Sequence, residues 1–428
     1  MERTVDRAAA GHPLPPAALS RLRSLPAALT SRLETIAAVS RESGVPAFLV
    51  GGFVRDLLLA RDDRDLDVVV EGDGIAFAHR LAAAVVGRVK VHGAFLTATV
   101  VDREGFPIDV ATARREVYRT PAALPEVAAA TLEEDLYRRD VTVNTLALRL
   151  GPEPGYELID PFGGGRDLEA KTLRVLHADS FRDDPTRILR AVRLEARLGF
   201  RIAPETLGLI AEALAAGAVD HLSGSRLKAE LAKLLGDPVA LQGLARLAEL
   251  GVLRAIDPLL EMDDATAERL HRLVEPAVAT WRLCLMALVA GWEESDLARL
   301  ADRLLLAGEE RRLLTGFPRR LTAARAMLSG KPAPHQVAEA LASLAEEEIL
   351  LLTTEADETV RAWVRRYLEE LRPLTLAVQG ADLVAAGIPA GPRIGEALRA
   401  TRAARLDGRI AAAQELPYAL AFLAGKSE

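Results

Sequence analysis

An α+β fold is predicted, with a small mixed head of strands and helices followed by a long all-helical remainder. Three observations predict it. Short apolar, β-branched runs closed by glycine or charged turns are confined to the part of the chain before Phe181. From Pro185 to about Ala424 the apolar residues recur at helical spacing, and no strand pattern is expected beyond Phe181. Aromatic residues make up only 4% of the chain, so the cores must be built from Leu, Ala and Val, a composition that leans helical.

A chain of 428 residues exceeds the usual size of one domain, and two to four packed modules are expected. Half of the residues are hydrophobic and 27% are charged, which fits a soluble globular chain and excludes disorder as its main state. The single cysteine, Cys284, excludes an intramolecular disulfide framework and any multi-cysteine metal site. Seven scattered histidines with no HExxH pair argue against a histidine-ligated metal. No run reaches the ~18–20 apolar residues of a membrane helix; the most apolar segment, Leu283 to Trp292, follows Arg282 and reads as a buried core helix. The N-terminal arm lacks a signal-peptide core, so a cytoplasmic protein is expected. A net charge of −7 argues against broad nucleic-acid affinity, and any RNA binding must come from local patches. The excess of arginine over lysine suits phosphates and base edges, but codon bias in a GC-rich genome explains it more cheaply.

Residues 1–30 read as a flexible arm leading into a helix. Ala47 to Val50 is a short apolar strand closed by Gly51 and Gly52; Phe53 to Ala60 reads as a helix and Leu66 to Val70 as a β-branched strand. Ile75 to Val86 is helical, and Phe95 to Val101 with Phe106 to Val110 make a hairpin turning at Asp102 to Gly105. Thr112 to Ala130, with Pro121 and Pro125, reads as a loop. Helical periodicity then covers Pro185–Leu198, Leu207–Ala215, Ser225–Leu235 and Pro238–Leu250. The expected division is an arm (1–30), a head (31–176), a neck (177–240), a helical body (241–375) and a helical tail (376–428).

Asp65 and Asp67 open a strand, where residues two apart face the same side. Two carboxylates so placed suit a pair of divalent cations about 4 Å apart that clamp the oxygens of a phosphoryl transfer. Alone, the pair is equally a surface acidic doublet. Upstream, Gly51 and Gly52 form a strand-to-helix turn whose backbone N–H groups make an anion site, with Arg55 as a cationic partner. A third acid, Asp109, lies on the strand after the Asp102–Gly105 turn. It completes the metal site, acts as base for an attacking hydroxyl, or is a solvent-facing strand-end acid. Three buried carboxylates would require cations, because unpaired buried charge is very costly.

These pieces occur in register with two more: Arg138-Arg139-Asp140-Val141-Thr142-Val143-Asn144, and Asp183-Asp184-Pro185-Thr186-Arg187 through Arg190 to Arg193. Together they resemble the class II tRNA nucleotidyltransferase/poly(A) polymerase family of the polymerase-β superfamily. The resemblance covers roughly Val45 to Leu235, with a weaker echo in Gly380 to Gly408. It implies a polymerase-β-like head, Mg²⁺ as cofactor, and tRNA, CTP and ATP as partners and substrates. It also implies roles for residues. Gly52 and Arg55 would contact the triphosphate, and Asp65 and Asp67 would hold Mg²⁺. Arg139, Asp140 and Asn144 would meet the sugar and phosphates. Asp184 and Arg187 would read the base, with Arg190 and Arg193 in support. Thr112 to Glu133 resembles the flexible loop that helps such enzymes switch from C to A. Val141, Thr145 and Asp183 depart from the family pattern without removing a reactive group.

The base-reading residues also have a physical rationale. At 100° per residue Asp184, Arg187 and Arg190 share one side of a helix, while Leu189, Val192 and Ala196 lie on another. A carboxylate accepts from an exocyclic amino group and a guanidinium donates to the neighbouring ring nitrogen, a polarity that admits cytosine and adenine and rejects uracil and guanine. The same spacing also describes an ordinary helix laced by Asp–Arg pairs. In the tail, Arg393, Arg399, Arg402 and Arg405 form a basic stripe that either grips tRNA phosphates or is a solvated face. The resulting expectation is template-independent addition of C and/or A to the tRNA 3′ end by two-metal nucleotidyl transfer. The alternatives are an A-only or CC-only enzyme, a poly(A) polymerase, an aminoglycoside-type nucleotidyltransferase, or a catalytically silent RNA-binding protein.

Overall fold

The computed structural model describes residues 11–62, 65–120, 122, 125–150, 156–273 and 280–425. The chain divides into two compact units, one of Met1–Arg226 with Arg246–Ile256, the other of Leu227–Ala245 with Asp257–Glu428. The helix expected in a neck therefore falls in the same unit as the strands of the head.

The first unit begins with β1 (His12–Pro13) and the helices α1 (Pro16–Arg23) and α2 (Ala27–Ser43). The arm expected over residues 1–30 is thus corrected from His12 onward, while residues 1–10 lie outside the described residues. Leu14, Ala18, Leu22, Leu29 and Leu33 are all buried, so an amphipathic pattern and not an arm occupies this stretch. Then follow β2 (Ala47–Val50), α3 (Gly52–Leu59), β3 (Leu66–Val70) and α4 (Gly74–Ala84). Asp73 caps α4 by accepting from the backbone N–H groups of Ile75 and Ala76, each at 3.0 Å. Next come β4 (Arg88–His92), β5 (Thr97–Val101) and β6 (Pro107–Thr112).

Thr112 to Ala130 is a second correction. Instead of a loop, β7 (Arg114–Val117) pairs antiparallel with β8 (Glu126–Ala129); residues 121, 123 and 124 lie outside the described residues. Short strands with charged side chains hid this ribbon from a periodicity reading. After it come α5 (Leu132–Tyr137), β9 (Ala147–Arg149), β10 (Glu157–Ile159), α6 (Gly164–Glu169) and β11 (Thr172–Leu173). Then α7 (Ser180–Asp183) and α8 (Thr186–Leu198) precede β12 (Arg201–Ile202), a two-residue strand beyond Phe181 where none was expected. It pairs with β11, and so short a segment carries no readable period.

Among the described residues, eight strands form one sheet in the order β1-β10-β9-β2-β3-β6-β5-β4. Every pairing is antiparallel except β3 with β6, which run parallel in the register Asp67↔Asp109. On one side of the sheet Phe48, Val50, Val69, Leu132, Leu136, Ala147 and Ile159 form a buried cluster. Because strand side chains alternate, that cluster fixes the register of β3, with Val68 to Val70 buried and Asp67 exposed at the strand's open end.

The second unit is helical throughout its described residues. Leu297, Leu300, Leu304, Leu321 and Leu328 are fully buried in it, and the helix Trp281–Leu288, with Leu283 to Leu288 buried, covers the first part of the segment expected as an apolar core helix. Near its end Leu383, Ala397, Ala419 and Leu423 make a separate small core. No helix among the described residues is long and apolar enough to cross a membrane.

Candidate active site

The site begins at the end of β2, where the chain must turn at once into α3. Gly51 makes the turn with φ +71° and ψ −134°, backbone that a side chain strains. A Cβ at Gly51 would stand 3.4 Å from Arg139 Nη1 and 3.5 Å from Asp67 Oδ2. The turn, the strand acid and the arginine of α5's trailing edge therefore meet at one place. Arg139 donates through Nη2 to Asp135 at 3.0 Å, and its buried Nε has no hydrogen-bond acceptor among the described residues. The guanidinium edge that meets the glycine turn is Nη1, and a cationic N–H donor beside a glycine turn fits an anion.

Asp67 and Asp109 lie side by side across the parallel β3–β6 pair, so their carboxylates leave the same face of the sheet. Thr99 continues the row on β5 and donates its hydroxyl to Asp109 Oδ1 at 2.7 Å. Asp65 precedes Asp67 by two residues. All three acids are exposed, so the condition under which burial would demand cations is not met: no large desolvation cost has to be cancelled here. Among the described residues no cluster of three or more His, Cys, Asp or Glu forms a metal cage. A divalent cation that keeps its waters and takes one or two carboxylates plus substrate phosphates needs no such cage, and the hard oxygens of Asp65 and Asp67 fit that donor set.

Arg55 sits elsewhere than expected. It is buried, with Nε and Nη2 bonded to Asp56 at 2.9 and 2.7 Å and Nη1 donating to Asn144 Oδ1 at 2.7 Å. Asn144 in turn donates to Asp140 Oδ1 at 2.9 Å, and Asp140 Oδ2 accepts from Arg190. Asp56, Arg55, Asn144, Asp140 and Arg190 thus form one chain of bonds from α3 to α8. Three of Arg55's nitrogens are engaged inside that chain, so it ties the glycine turn's helix to Asn144 and Asp56. Burial alone would raise the Asp140 carboxyl, but the charge of Arg190 and the bonds from Asn144, Arg190 and the Val141 N–H hold it well below the usual carboxylate range.

The base-reading pair is also rearranged. Asp184 is not on the helix; it has extended backbone just before Pro185 and α8. Its Oδ1 accepts from the Thr186 hydroxyl at 2.6 Å and pairs with Arg226 at 2.6 Å. A proline directly after it forbids helical backbone at Asp184, which the 100° projection overlooked. Arg187 is 5% exposed and donates to Ser180 Oγ at 2.8 Å and to the Arg138 carbonyl at 2.7 Å. Arg187 and Asp183 line a cavity of about 760 Å³ whose walls also include Glu116, Tyr118, Tyr137 and His177. Burial raises the Asp183 carboxyl. Arg193 is partly buried on the same helix, one turn beyond Arg190.

The ribbon is tied to this wall. Glu116 Oε1 accepts from Arg138 at 2.9 Å and from Arg114 at 3.3 Å, and Oε2 accepts from the Tyr118 hydroxyl at 2.8 Å. Burial and the charge of Glu116 push the Tyr118 phenol far above its ordinary value. Asp135, wholly buried, is held low by Arg139 and Arg138 against the opposing effect of burial. Glu116, Asp135, Tyr137, Ser180 and Arg226 carried no motif, and only the partners that the fold sets beside them give them a role. In the tail, Arg405 is corrected: it donates to Glu415 at 2.8 Å and to the Ile410 carbonyl, so it is not part of an open RNA-facing stripe. Arg393 is exposed and donates to the Leu423 carbonyl at 2.8 Å, Arg399 is exposed, and Arg402 is partly buried.

Comparisons with known proteins agree on one family. A family model described as the poly A polymerase head domain matches residues 47–174, and one described as the probable RNA and SrmB-binding site of polymerase A matches residues 199–263. An A-adding tRNA nucleotidyltransferase of Geobacter sulfurreducens is 38% identical over 91% of this chain, which spans 46% of that protein's length. A CC-adding tRNA nucleotidyltransferase of Deinococcus radiodurans is 35% identical over 87% of this chain and 88% of its own. Among solved structures, the Thermotoga maritima CCA-adding enzyme complexed with tRNA superposes with a TM-score of 0.72 at 30% identity, covering 94% of this chain and 98% of that one.

Proposed function

Because this chain belongs to the tRNA nucleotidyltransferase/poly(A) polymerase family, we propose that it adds C and/or A from CTP and ATP to the 3′ end of tRNA, in the cytoplasm. The single observation that carries this reading is the meeting of Asp67, Asp109, the Gly51 turn and the Arg139 guanidinium, through its Nη1, at one end of the sheet. The tRNA 3′-hydroxyl loses its proton to water and attacks the α-phosphorus, a P–O bond forms, and the bond to the β-phosphate oxygen breaks to release pyrophosphate. A Mg²⁺ ion held by Asp65 and Asp67 together with phosphate oxygens would supply Lewis-acid charge neutralisation and a lowered hydroxyl pKa.

The chain's own residues do the positioning. The Gly51–Gly52 turn lets the triphosphate approach the N–H groups of α3, and Arg139 donates to it. Asp109, oriented by Thr99, is the third carboxylate beside the reacting atoms. Asp140 and Asn144 hold α3 and α8 in register through Arg55 and Arg190. Arg187 donates to the base edge, with Asp183 on the cavity wall beside it. Fixed charge and position supply most of the rate.

The experiment that tests the reading uses three tRNAs, lacking CCA, ending in C, and ending in CC, each with labelled CTP or ATP. Incorporation on all three assigns CCA addition, A on the third alone assigns A addition, and C on the first two alone assigns CC addition. No incorporation on any of them refutes the reading.

A further inference from the structure

The chain is poor in aromatic residues, with five tyrosines in 428 positions, yet two of them, Tyr118 and Tyr137, line the cavity beside Arg187. Tyr137 ends α5, immediately before the Arg138-Arg139-Asp140 run, and is 46% exposed. Its ring stacks on His177 with centroids 5.3 Å apart and planes at 29°, and tilts against Phe162 at 5.6 Å. All three rings are part of the cavity wall. Exposed aromatic surface is costly in water unless a partner covers it.

Groups suited to the other parts of a nucleotide stand around these rings. Arg187 and Asp183 offer a donor and a carboxyl to a base edge, and Arg115 and Arg182, both largely exposed, line the same cavity within reach of phosphate charge. A volume of about 760 Å³ lies within the range of small-molecule sites. Edge-reading groups alone do not fix a planar base; a ring across its face does.

We propose that Tyr137, backed by His177 and Phe162, is the stacking platform for a nucleobase in this cavity, a specificity-determining element that rests on the nucleotidyltransferase reading above. The base comes from the incoming nucleotide or from the 3′-terminal residue of the RNA.

Binding of two fluorescent probes by the full chain separates these sources: 2-aminopurine riboside triphosphate, and a tRNA minihelix carrying 2-aminopurine at its 3′ end. In the wild type one probe is quenched on binding. Tyr137→Phe keeps quenching and affinity within about twofold. Tyr137→Leu, which keeps apolar bulk without a π face, abolishes quenching and weakens that probe by about tenfold or more, with an unchanged melting temperature. Loss in the triphosphate arm assigns the incoming base, and loss in the minihelix arm assigns the RNA end. Wild-type behaviour of Tyr137→Leu with both probes, or equal loss in Tyr137→Phe and Tyr137→Leu, overturns the platform alone. A wild type that binds neither probe overturns the nucleotidyltransferase reading as well.

Discussion

Asp140 accepts two hydrogen bonds from Arg190 through one carboxylate oxygen, 3.0 Å from Nε and 2.7 Å from Nη2. The two residues stand fifty positions apart. The pair fastens α8 to the segment that follows α5, and with Asn144 and Arg55 it continues to the glycine turn. A carboxyl whose folded pKa is depressed contributes stability that is complete above its ordinary value of 3.8 and is lost as the pH falls through its folded value. Asp140→Asn should therefore lower stability at neutral pH by about 1–2 kcal/mol, a modest figure because Arg190 is nearly half exposed. Urea melts between pH 7 and pH 2 check this: the difference between the two proteins should shrink below pH 4. A constant difference would disconnect the pair from the acid limb.

Asp67→Asn removes the negative charge of an exposed side chain while keeping its size. Incorporation of labelled nucleotide should drop by on the order of a thousandfold, the several kcal/mol a metal-bound carboxylate is asked to supply. The melting temperature and tRNA affinity should stay near the wild-type values. Near-normal turnover would remove Asp67 from the reaction.

Glu116 joins the ribbon to the cavity wall through Arg138, Arg114 and Tyr118. In Glu116→Gln the charge facing two arginines disappears while the shape remains. Amide exchange over β7 and β8 should speed up by about five- to tenfold, equal to about 1–1.4 kcal/mol of local protection. The strands of the main sheet should be unaffected.

Arg399 and Arg405 lie on the same tail helix and should behave differently. Arg405 pairs with Glu415, whose other oxygen accepts from the Ala377 and Val378 N–H groups at 2.6 and 3.1 Å. Burial raises the Glu415 carboxyl, but these bonds and Arg405 outweigh it and hold it below its ordinary value. Glu415→Ala should cost about 2–3 kcal/mol in chemical denaturation, since it strands two backbone donors and an arginine. Arg399→Glu should leave stability within about 0.5 kcal/mol and weaken tRNA binding with a reduced salt slope. Equal tRNA affinity for Arg399→Glu and wild type would make its face a solvated one.

Much of the head was legible because β-branched runs bounded by glycine are strong local signals: Ala47–Val50 and Leu66–Val70 fall where their residues put them. Short, charged or two-residue strands such as β7, β8 and β12 were not legible, since pairing and not periodicity creates them. The acids and the glycine turn stood out by residue type. Arg55 and Asp184 were read as open ligands because a sequence displays a side chain's chemistry without its partners.

The order of the motifs, the carboxylates of Asp65, Asp67 and Asp109, and the family they point to were determined by the sequence alone, because residue type and spacing survive without a partner. Tertiary structure decided which charges stay available. Arg55, Asp184 and Arg405 are bound to Asn144, Arg226 and Glu415, whereas Arg139 Nε has no acceptor among the described residues. The physical reason is that a guanidinium or a carboxylate brought into the fold takes whatever opposite charge the packing sets beside it, and that neighbour comes from a distant part of the chain.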